Sequence, residues 1–156
     1  MEMLTTHKIS EDFYDDNFQL VAIHSGLKDF AMGYAINLAC ALQLSRRKND
    51  LQFDEGLCFS VFDWEDELND TFWTLMSNKC ALEEKVPSNG LFQDRTASRT
   101  EYLIKERKEV DYLLKVDGVD GPTLVQQIKS INTIPKVVTA YPMDTQTLKS
   151  KRNLIF

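Results

Sequence analysis

The feature that most constrains the fold of this chain is one long run with the periodicity of an α-helix. Apolar residues recur at the spacing i, i+3, i+4 and i+7 over about four turns. These positions are Leu27, Phe30, Ala31, Tyr34, Ala35, Leu38, Ala39 and Leu42. Ser25 and Gly26 suit the start of this helix. Arg46 to Lys48 place positive charge beyond its other end, where it complements the helix dipole.

The same segment carries a second apolar stripe, formed by Met32, Ile36 and Cys40. Asn37 is the one strongly polar side chain in this part of the helix. A helix that is apolar nearly all round is usually covered on more than one side. The structure that covers the second side of this helix is the other helix, a loop, or another subunit. Because a domain of this size has few elements to spare, we predict a homodimer built partly on the segment Leu27 to Leu44.

The pattern in the rest of the chain is mainly that of strands and turns. Residues 18–24, FQLVAIH, are rich in β-forming residues and apolar on both alternating faces, which is typical of an inner strand. Further strands are predicted at Leu57 to Trp64, Phe72 to Leu82, Thr100 to Lys105, Val110 to Val116 and Val137 to Tyr141, with a turn at Pro87 to Gly90. A second helix follows Pro122 and presents Leu124, Val125, Ile128 and Ile131.

The predicted order of elements is strand, helix, four strands, helix, strand. This order favours an α+β fold, a two-layer sandwich with both helices on one face of a largely antiparallel sheet. The sequence has no internal repeat, low-complexity tract or linker rich in proline and glycine. Residues 1–156 are therefore predicted to form a single domain, with a partly basic tail from about 145 to 156.

Several features indicate a cytoplasmic protein without a membrane segment. No apolar run approaches the roughly 20 residues that a membrane-spanning helix needs. The first residues include acids where a signal peptide has an apolar core. The three cysteines, Cys40, Cys58 and Cys80, are odd in number and widely spaced. This spacing disfavours a disulfide framework and a zinc site, and it fits a reducing compartment.

Charge is distributed unevenly along the chain, whose net charge is -6. Residues 1–78 hold 14 acidic and 5 basic residues, and residues 79–156 hold 10 acidic and 13 basic residues. No basic residue lies between Lys48 and Lys79. Because nucleic-acid binding needs a continuous positive surface, this acidic middle disfavours it. Binding through Arg95 to Lys108 and the tail stays a weaker alternative.

The sequence contains only weak matches to motifs for catalysis or metal binding. His24-Ser25-Gly26 lies at a strand-to-helix junction, as a nucleophile elbow does, but apolar residues occupy the elbow's two glycine positions. Neither of the two histidines stands at helical ligand spacing from another ligand. The acidic run Asp63 to Glu67 lacks the spacing and the glycine of a calcium-binding loop. We therefore predict no metal site and no cofactor.

Residues 104–112, IKERKEVDY, resemble the signature of the bacterial IPExxxVDY family, whose members have about this length and no established function. The residues that match the motif are Ile104, Glu106, Val110, Asp111 and Tyr112. Lys105 stands in place of the motif's proline. The segments FQLVAIHS, DWEDE and LKSKRNLIF are also similar to such proteins. The resemblance implies no activity, cofactor or substrate.

The chemistry of the motif residues favours a structural anchor. Arg107 to Glu109 suit a hairpin-like turn between two strands, which places Val110 and Tyr112 on one face and Asp111 on the other. A buried Asp111 needs a hydrogen-bond or charge partner. We interpret Glu106, Asp111 and Tyr112 as residues that fix the register of the chain, with a binding role as the alternative.

The residues support three hypotheses of function. The first is a non-catalytic domain that acts through protein contacts as a homodimer. The alternative is a small-ligand-binding protein or an enzyme with a pocket near His24, Asp111 and Tyr112. The weaker alternative is nucleic-acid binding through the basic C-terminal half.

Overall fold

The structure of the chain, a computed structural model, describes residues 17–87, 90 and 95–156. Within these residues an antiparallel sheet of six strands carries two helices on one face. This is the α+β architecture that the order of elements predicts. The predicted turn at residues 87–90 lies partly outside the described residues. No helix in the described part of the chain is both long and apolar enough to cross a membrane.

The elements of residues 17–87, 90 and 95–156 are ten strands and two helices. The strands are β1 (Gln19–Ser25), β2 (Ser45–Arg46), β3 (Leu51–Gln52), β4 (Cys58–Phe59), β5 (Val61–Asp66), β6 (Thr71–Ser77), β7 (Lys79–Val86), β8 (Arg95–Tyr102), β9 (Tyr112–Asp117) and β10 (Val137–Met143). The helices are α1 (Asp29–Cys40) and α2 (Gly121–Asn132), with short 3-10 helices at Asp54–Gly56 and Lys151–Leu154. The main sheet has the order β10-β1-β9-β6-β5-β2, and the pairs β3–β4 and β7–β8 form two small sheets.

β1 is an inner strand because both of its faces are apolar. It pairs antiparallel with β10 on one side and with β9 on the other. Val21 and Ile23 lie in the core beneath the helices, and Leu20 and Ala22 lie in the core on the opposite face. The predicted inner strand is confirmed, with bounds shifted by one residue.

Both helices pack on the same face of the sheet, as predicted. The residues that they bury there are Met32, Gly33, Ile36 and Cys40 of α1, and Leu124, Ile128 and Ile131 of α2. α2 begins after Asp120, whose side chain accepts a hydrogen bond from the Thr123 N–H at 2.7 Å. Pro122 lies in its first turn, where a missing N–H is tolerated.

α1 packs on the sheet through the second of its two apolar stripes. Met32, Ile36 and Cys40 are buried on the sheet, whereas Phe30, Tyr34 and Leu38 of the main stripe are exposed. Both stripes are apolar, so periodicity alone does not decide between them. The decisive residue is Gly33, where an added Cβ would lie 3.2 Å from the Phe62 ring. A side chain at this position would have to push the Phe62 ring aside by a few tenths of an ångström, so glycine suits the stripe that packs on the sheet.

α1 also begins later and ends earlier than predicted. Its N-cap is Lys28, because Ser25 still belongs to β1. Ala41 ends the helix in the left-handed conformation, with φ 54°. The Asn37 side chain then bonds both the N–H and the C=O of Leu44, which turns the chain away. The basic run predicted at the helix end therefore lies beyond it, at β2.

β8 and β9 do not form the predicted hairpin. β8 pairs with β7 in a small sheet, whereas β9 lies between β1 and β6 in the main sheet. Val110 is buried with Leu113 opposite the helices, while Tyr112 lies on the helix side. The predicted face was wrong because β9 begins only at Tyr112, so the alternation of a strand does not extend back to Val110.

The sheet face opposite the helices is closed by irregular segments. Leu103, Ile104 and Val110 from the connection between β8 and β9 pack there with Leu148 and Leu154 of the tail. The partly basic tail is therefore part of the core and not a free extension.

The outer edge of β10 is protected against pairing with another strand. Asn132 of α2 accepts from the Ala140 N–H and donates to the Ala140 carbonyl, both at 2.9 Å. Pro142 follows two residues later and has no N–H to donate. Such blocked edges disfavour the addition of a further strand.

Candidate functional site

The motif residues lie where the chain enters β9. Ile104 and Val110 are fully buried. The Asp111 carboxylate accepts the Ser25 N–H at 2.9 Å through Oδ2 and pairs with Lys79 Nζ at 2.5 Å through Oδ1. Asp111 therefore has the hydrogen-bond and charge partners that a buried carboxylate needs. They are Ser25 of β1 and Lys79 of β7.

Tyr112 joins the start of β9 to the connection before α1. Its hydroxyl donates to the Leu27 carbonyl at 2.5 Å. Burial, followed by the negative charges of Asp29 and Asp111, raises the pKa of Tyr112 to about 12. The phenol is therefore neutral at physiological pH and acts as a hydrogen-bond donor.

Glu106 binds the C-terminal tail. Its carboxylate accepts from the Ser150 N–H at 2.8 Å and from the Ser150 hydroxyl at 2.7 Å. Burial by itself raises the pKa of Glu106, but these hydrogen bonds outweigh it and lower the pKa below its usual value. Asn153 adds a bond from its side-chain amide to the Leu103 carbonyl at 2.8 Å. Together these contacts hold the tail against the motif segment.

Asn78 is a residue of this region that sequence reasoning missed. It is fully buried, donates to the carbonyls of Arg107 and Val110, and accepts the Ile104 N–H at 2.7 Å. These bonds satisfy backbone groups of a segment that has no sheet partner of its own. In the sequence Asn78 stands between Ser77 and Lys79 in the predicted strand Phe72 to Leu82, so nothing there distinguishes it as buried.

A second polar chain runs from Glu109 to His24. Arg107 Nε donates to Glu109 at 2.5 Å, and a terminal nitrogen of Arg107 donates to the Tyr141 hydroxyl at 2.8 Å. The hydrogen bond to Glu109, aided by the Tyr141 and Glu109 charges, raises the pKa of Arg107 despite partial burial. The Tyr141 oxygen lies 2.9 Å from His24 Nε2. The Tyr141 hydroxyl therefore links Arg107 to His24.

The pocket predicted near His24, Asp111 and Tyr112 is only partly matched by the grooves of the structure. One wide groove of about 440 Å³ includes Tyr112 and Lys79 in its lining. His24 and Asp111 are not in that lining. The three predicted residues lie close in the fold, but each is bonded to protein groups there.

The outward surface of α1 is an unbroken apolar stripe, which we call the outer face of α1 and define by Phe30, Tyr34 and Leu38. Their exposed fractions are 63%, 71% and 75%. The Phe30 ring meets Phe62 edge-on at 5.6 Å between centroids, and the Arg46 guanidinium lies 5.8 Å from the Phe30 centroid. The sequence has no charged residue from position 30 to position 45.

A groove of about 390 Å³ lies at the C-terminal end of α1, and we call it the tryptophan groove. Its lining comprises Cys40, Ala41 and Leu42 after α1, Trp64, Asp66, Asn69, Thr71 and Trp73 of the β5–β6 hairpin, and Gly118, Val119, Asp120, Thr123 and Gln127 at the start of α2. Gly118 lies close against the β5–β6 turn, because at φ +79° an added Cβ would lie 2.5 Å from the Asp70 carbonyl oxygen.

The cysteines and acids form no metal centre in the part of the chain that the structure describes. No group of three or more His, Cys, Asp or Glu side chains converges there in a way that could hold a metal ion. All three cysteines are free thiols; Cys40 and Cys80 are buried, and Cys58 is exposed. Burial raises the pKa of the Cys40 thiol to about 11.

Comparison with known proteins gives no further assignment of the site: no family model, no curated protein and no solved structure matches this chain. Membership of the IPExxxVDY family stays a prediction from the motif. The site is therefore interpreted from its own contacts.

Proposed function

We propose that this chain is a non-catalytic protein-interaction domain of the cytoplasm that assembles as a homodimer through the outer face of α1. The observation that supports the proposal is the exposure of three large apolar side chains in one row on a helix. Single exposed apolar residues are ordinary, but a contiguous apolar patch without charge is typical of an interaction surface. Three free thiols fit a reducing compartment.

A second copy of this chain is the partner that this surface fits best. In a two-fold dimer the same patch meets itself, and no residue from position 30 to position 45 brings a charge to that contact. In an antiparallel pair, Tyr34 lies near the axis and Phe30 of one copy faces Leu38 of the other. Ala31 and Ala35, in the neighbouring row of the helix, leave room for these side chains.

Helix electrostatics favour the same antiparallel arrangement. α1 has no basic residue in its last turn, so its C-terminal carbonyls carry uncompensated partial negative charge. Lys28 is exposed at the opposite end. In the antiparallel pair, the Lys28 ammonium of each copy approaches the C-terminal end of the other α1. The blocked edge of β10 disfavours association through that edge of the sheet.

The alternative functions have less support from the contacts. Both Asp111 oxygens and the Tyr112 hydroxyl already bond protein groups, which leaves few of their hydrogen-bonding sites free for a ligand. Among the basic residues, Arg99 pairs with Glu84 and Glu101. Such pairing reduces the positive field that phosphate binding needs.

The experiment is a comparison of two leucine variants in sedimentation equilibrium. Leu38→Glu places a carboxylate in the proposed interface, whereas Leu68→Glu makes the same change at a residue that is 97% exposed in the β5–β6 turn. Losing the burial of one leucine costs about 1.5–3 kcal/mol. We therefore expect the dissociation constant of the dimer to rise at least about tenfold in Leu38→Glu. Leu68→Glu should dimerise like the wild type.

Two results would contradict the proposal. One is a wild-type chain that stays monomeric up to about 1 mM, since a biological homodimer with such weak affinity has little use. The other is an equal loss of dimer in both variants, which would assign the effect to net charge and not to the outer face of α1.

A further inference from the structure

The tryptophan groove has aromatic walls that the interaction function does not use. Its lining contains both tryptophans of the chain, Trp64 and Trp73. They are cross-strand partners on β5 and β6, so their indoles lie on the same face of the hairpin. Trp73 is buried and its Nε1 donates to the Thr71 hydroxyl at 3.1 Å, whereas Trp64 is only half-buried. Packing in the core explains Trp73. Trp64 packs against the same core, but part of its ring remains accessible in the groove.

The groove is also electrically negative. Asp66 and Asp120 line it, and none of its described lining residues is Lys, Arg or His. α1 ends at this groove without a basic residue in its last turn, which adds the partial negative charge of its carbonyls. An adjoining cleft of about 200 Å³ shares Asp66 with the groove and adds further acids, namely Glu65, Glu67, Asp70 and Asp117.

Both carboxylates of the groove keep capacity for a ligand. Asp66 accepts from the Asn69 amide through Oδ2, and Asp120 accepts from the Thr123 N–H through Oδ1. A carboxylate has two oxygens and about four acceptor sites, so these bonds use only part of each group. Hydrogen bonds from the Thr123 side chain and backbone lower the pKa of Asp120, which is therefore charged at neutral pH.

We propose that the tryptophan groove binds an organic cation, an ammonium or guanidinium group carried on a short aliphatic chain. The cation lies against the Trp64 ring and between the carboxylates of Asp66 and Asp120, while its aliphatic part contacts the apolar wall. An indole ring is the aromatic group that attracts a cation most strongly. The volume of about 390 Å³ suits a ligand of this size and is within the usual range of small-molecule sites. The ligand is either a free amine or a Lys or Arg side chain of a peptide.

Tryptophan emission is a specific probe of this binding, because both tryptophans line the groove. The wild-type chain is titrated at low salt with spermidine, with agmatine, and with an acetylated, amidated Gly-Lys-Gly peptide. We expect a saturable change in emission whose apparent affinity falls as NaCl is added, because charge pairing is screened. A tighter response to the free amines assigns a metabolite-like ligand, and a tighter response to the peptide assigns a protein side chain.

The test variant is Asp66→Asn combined with Asp120→Asn. Asparagine keeps the acceptor for Asn69 and remains a good N-cap for α2, so the change removes charge and little else. We expect the affinity for the bound cation to fall at least about tenfold, since each charged contact contributes more than a neutral one. Asp144→Asn, which removes one charge outside the groove, is the control and should bind like the wild type. Circular dichroism confirms that each variant is folded.

The proposal is overturned if no probe gives a saturable change up to about 10 mM at low salt. It is equally overturned if the double variant binds as tightly as the wild type, because the two carboxylates then contribute nothing. The groove is lined by residues of a single chain, so failure of the dimer proposal leaves this inference standing. The titration is made at a protein concentration where the wild type is monomeric, which keeps the two proposals apart.

Discussion

The two helices of this protein pack on the same face of the sheet but have different outer surfaces. α1 and α2 each have 12 residues and lie on the same face of the sheet. α2 is amphipathic, because its outward positions are mostly polar, as at Thr123, Gln126 and Lys129. α1 is apolar on both sides, and its outward positions carry Phe30 and Tyr34.

This difference shows that the outer face of α1 is not needed for packing. Each helix buries only three or four residues on the sheet, and α2 does so with a polar exterior. The fold would therefore tolerate polar residues on α1 as well. Their absence is the basis of the proposed homodimer.

The largest effect should come from the inner faces, where the two helices are alike. Ile36→Ala in α1 and Ile131→Ala in α2 each remove a fully buried side chain. Each change should lower the free energy of unfolding by about 2–5 kcal/mol, because it loses burial and leaves a cavity. Urea unfolding at one low protein concentration measures both. A loss below about 1 kcal/mol for Ile36→Ala alone would mean that α1 does not pack on this stripe.

A smaller effect should come from the N-caps, where the helices differ. Asp120 caps α2 through its side chain, whereas Lys28 gives α1 no side-chain cap bond. The pKa of Asp120 is lowered in the folded chain by the hydrogen bonds from Thr123. Its stabilising effect is therefore complete above the unfolded pKa of about 3.9 and is lost as the pH falls through the folded pKa.

Thermal unfolding from pH 7 to pH 3 tests this prediction. Asp120→Asn keeps a good cap but removes the ionisable group, so its midpoint should fall less with acid than that of the wild type. Asp120→Ala should unfold a few degrees lower at pH 7, since the Thr123 N–H loses its acceptor. Identical acid sensitivity in the wild type and in Asp120→Asn would show that this cap contributes nothing to the pH dependence.

The sequence predicts those parts of the fold that depend on local signals. FQLVAIH is apolar on both faces and becomes an inner strand, and Pro122 marks the start of α2. The orientation of α1 does not follow from the sequence, because both of its stripes are apolar. Gly33 against Phe62 decides it, and that contact joins residues far apart in the chain.

The candidate site is less predictable because its contacts are between distant segments. Asp111 pairs with Lys79, 32 residues away in the sequence, and His24 contacts Tyr141, 117 residues away. The tryptophan groove forms only because Gly118 with a positive φ brings its loop against the β5–β6 turn. The acidic run and both tryptophans are visible in the sequence, but their convergence depends on tertiary structure.

The smallest effect on stability should come from the outer faces, and it separates folding from association. Leu38→Glu in α1 and Val125→Glu in α2 both change exposed residues, which are 75% and 52% accessible. At a concentration where the wild type is monomeric, each should alter the free energy of unfolding by less than about 0.5 kcal/mol. At higher concentration the wild type and Val125→Glu should gain stability through dimerisation, whereas Leu38→Glu should not. If Leu38→Glu were strongly destabilised as a monomer, the outer face of α1 would belong to the core of the single chain. The contrast between the two helices would then disappear, because α1 would be covered from within.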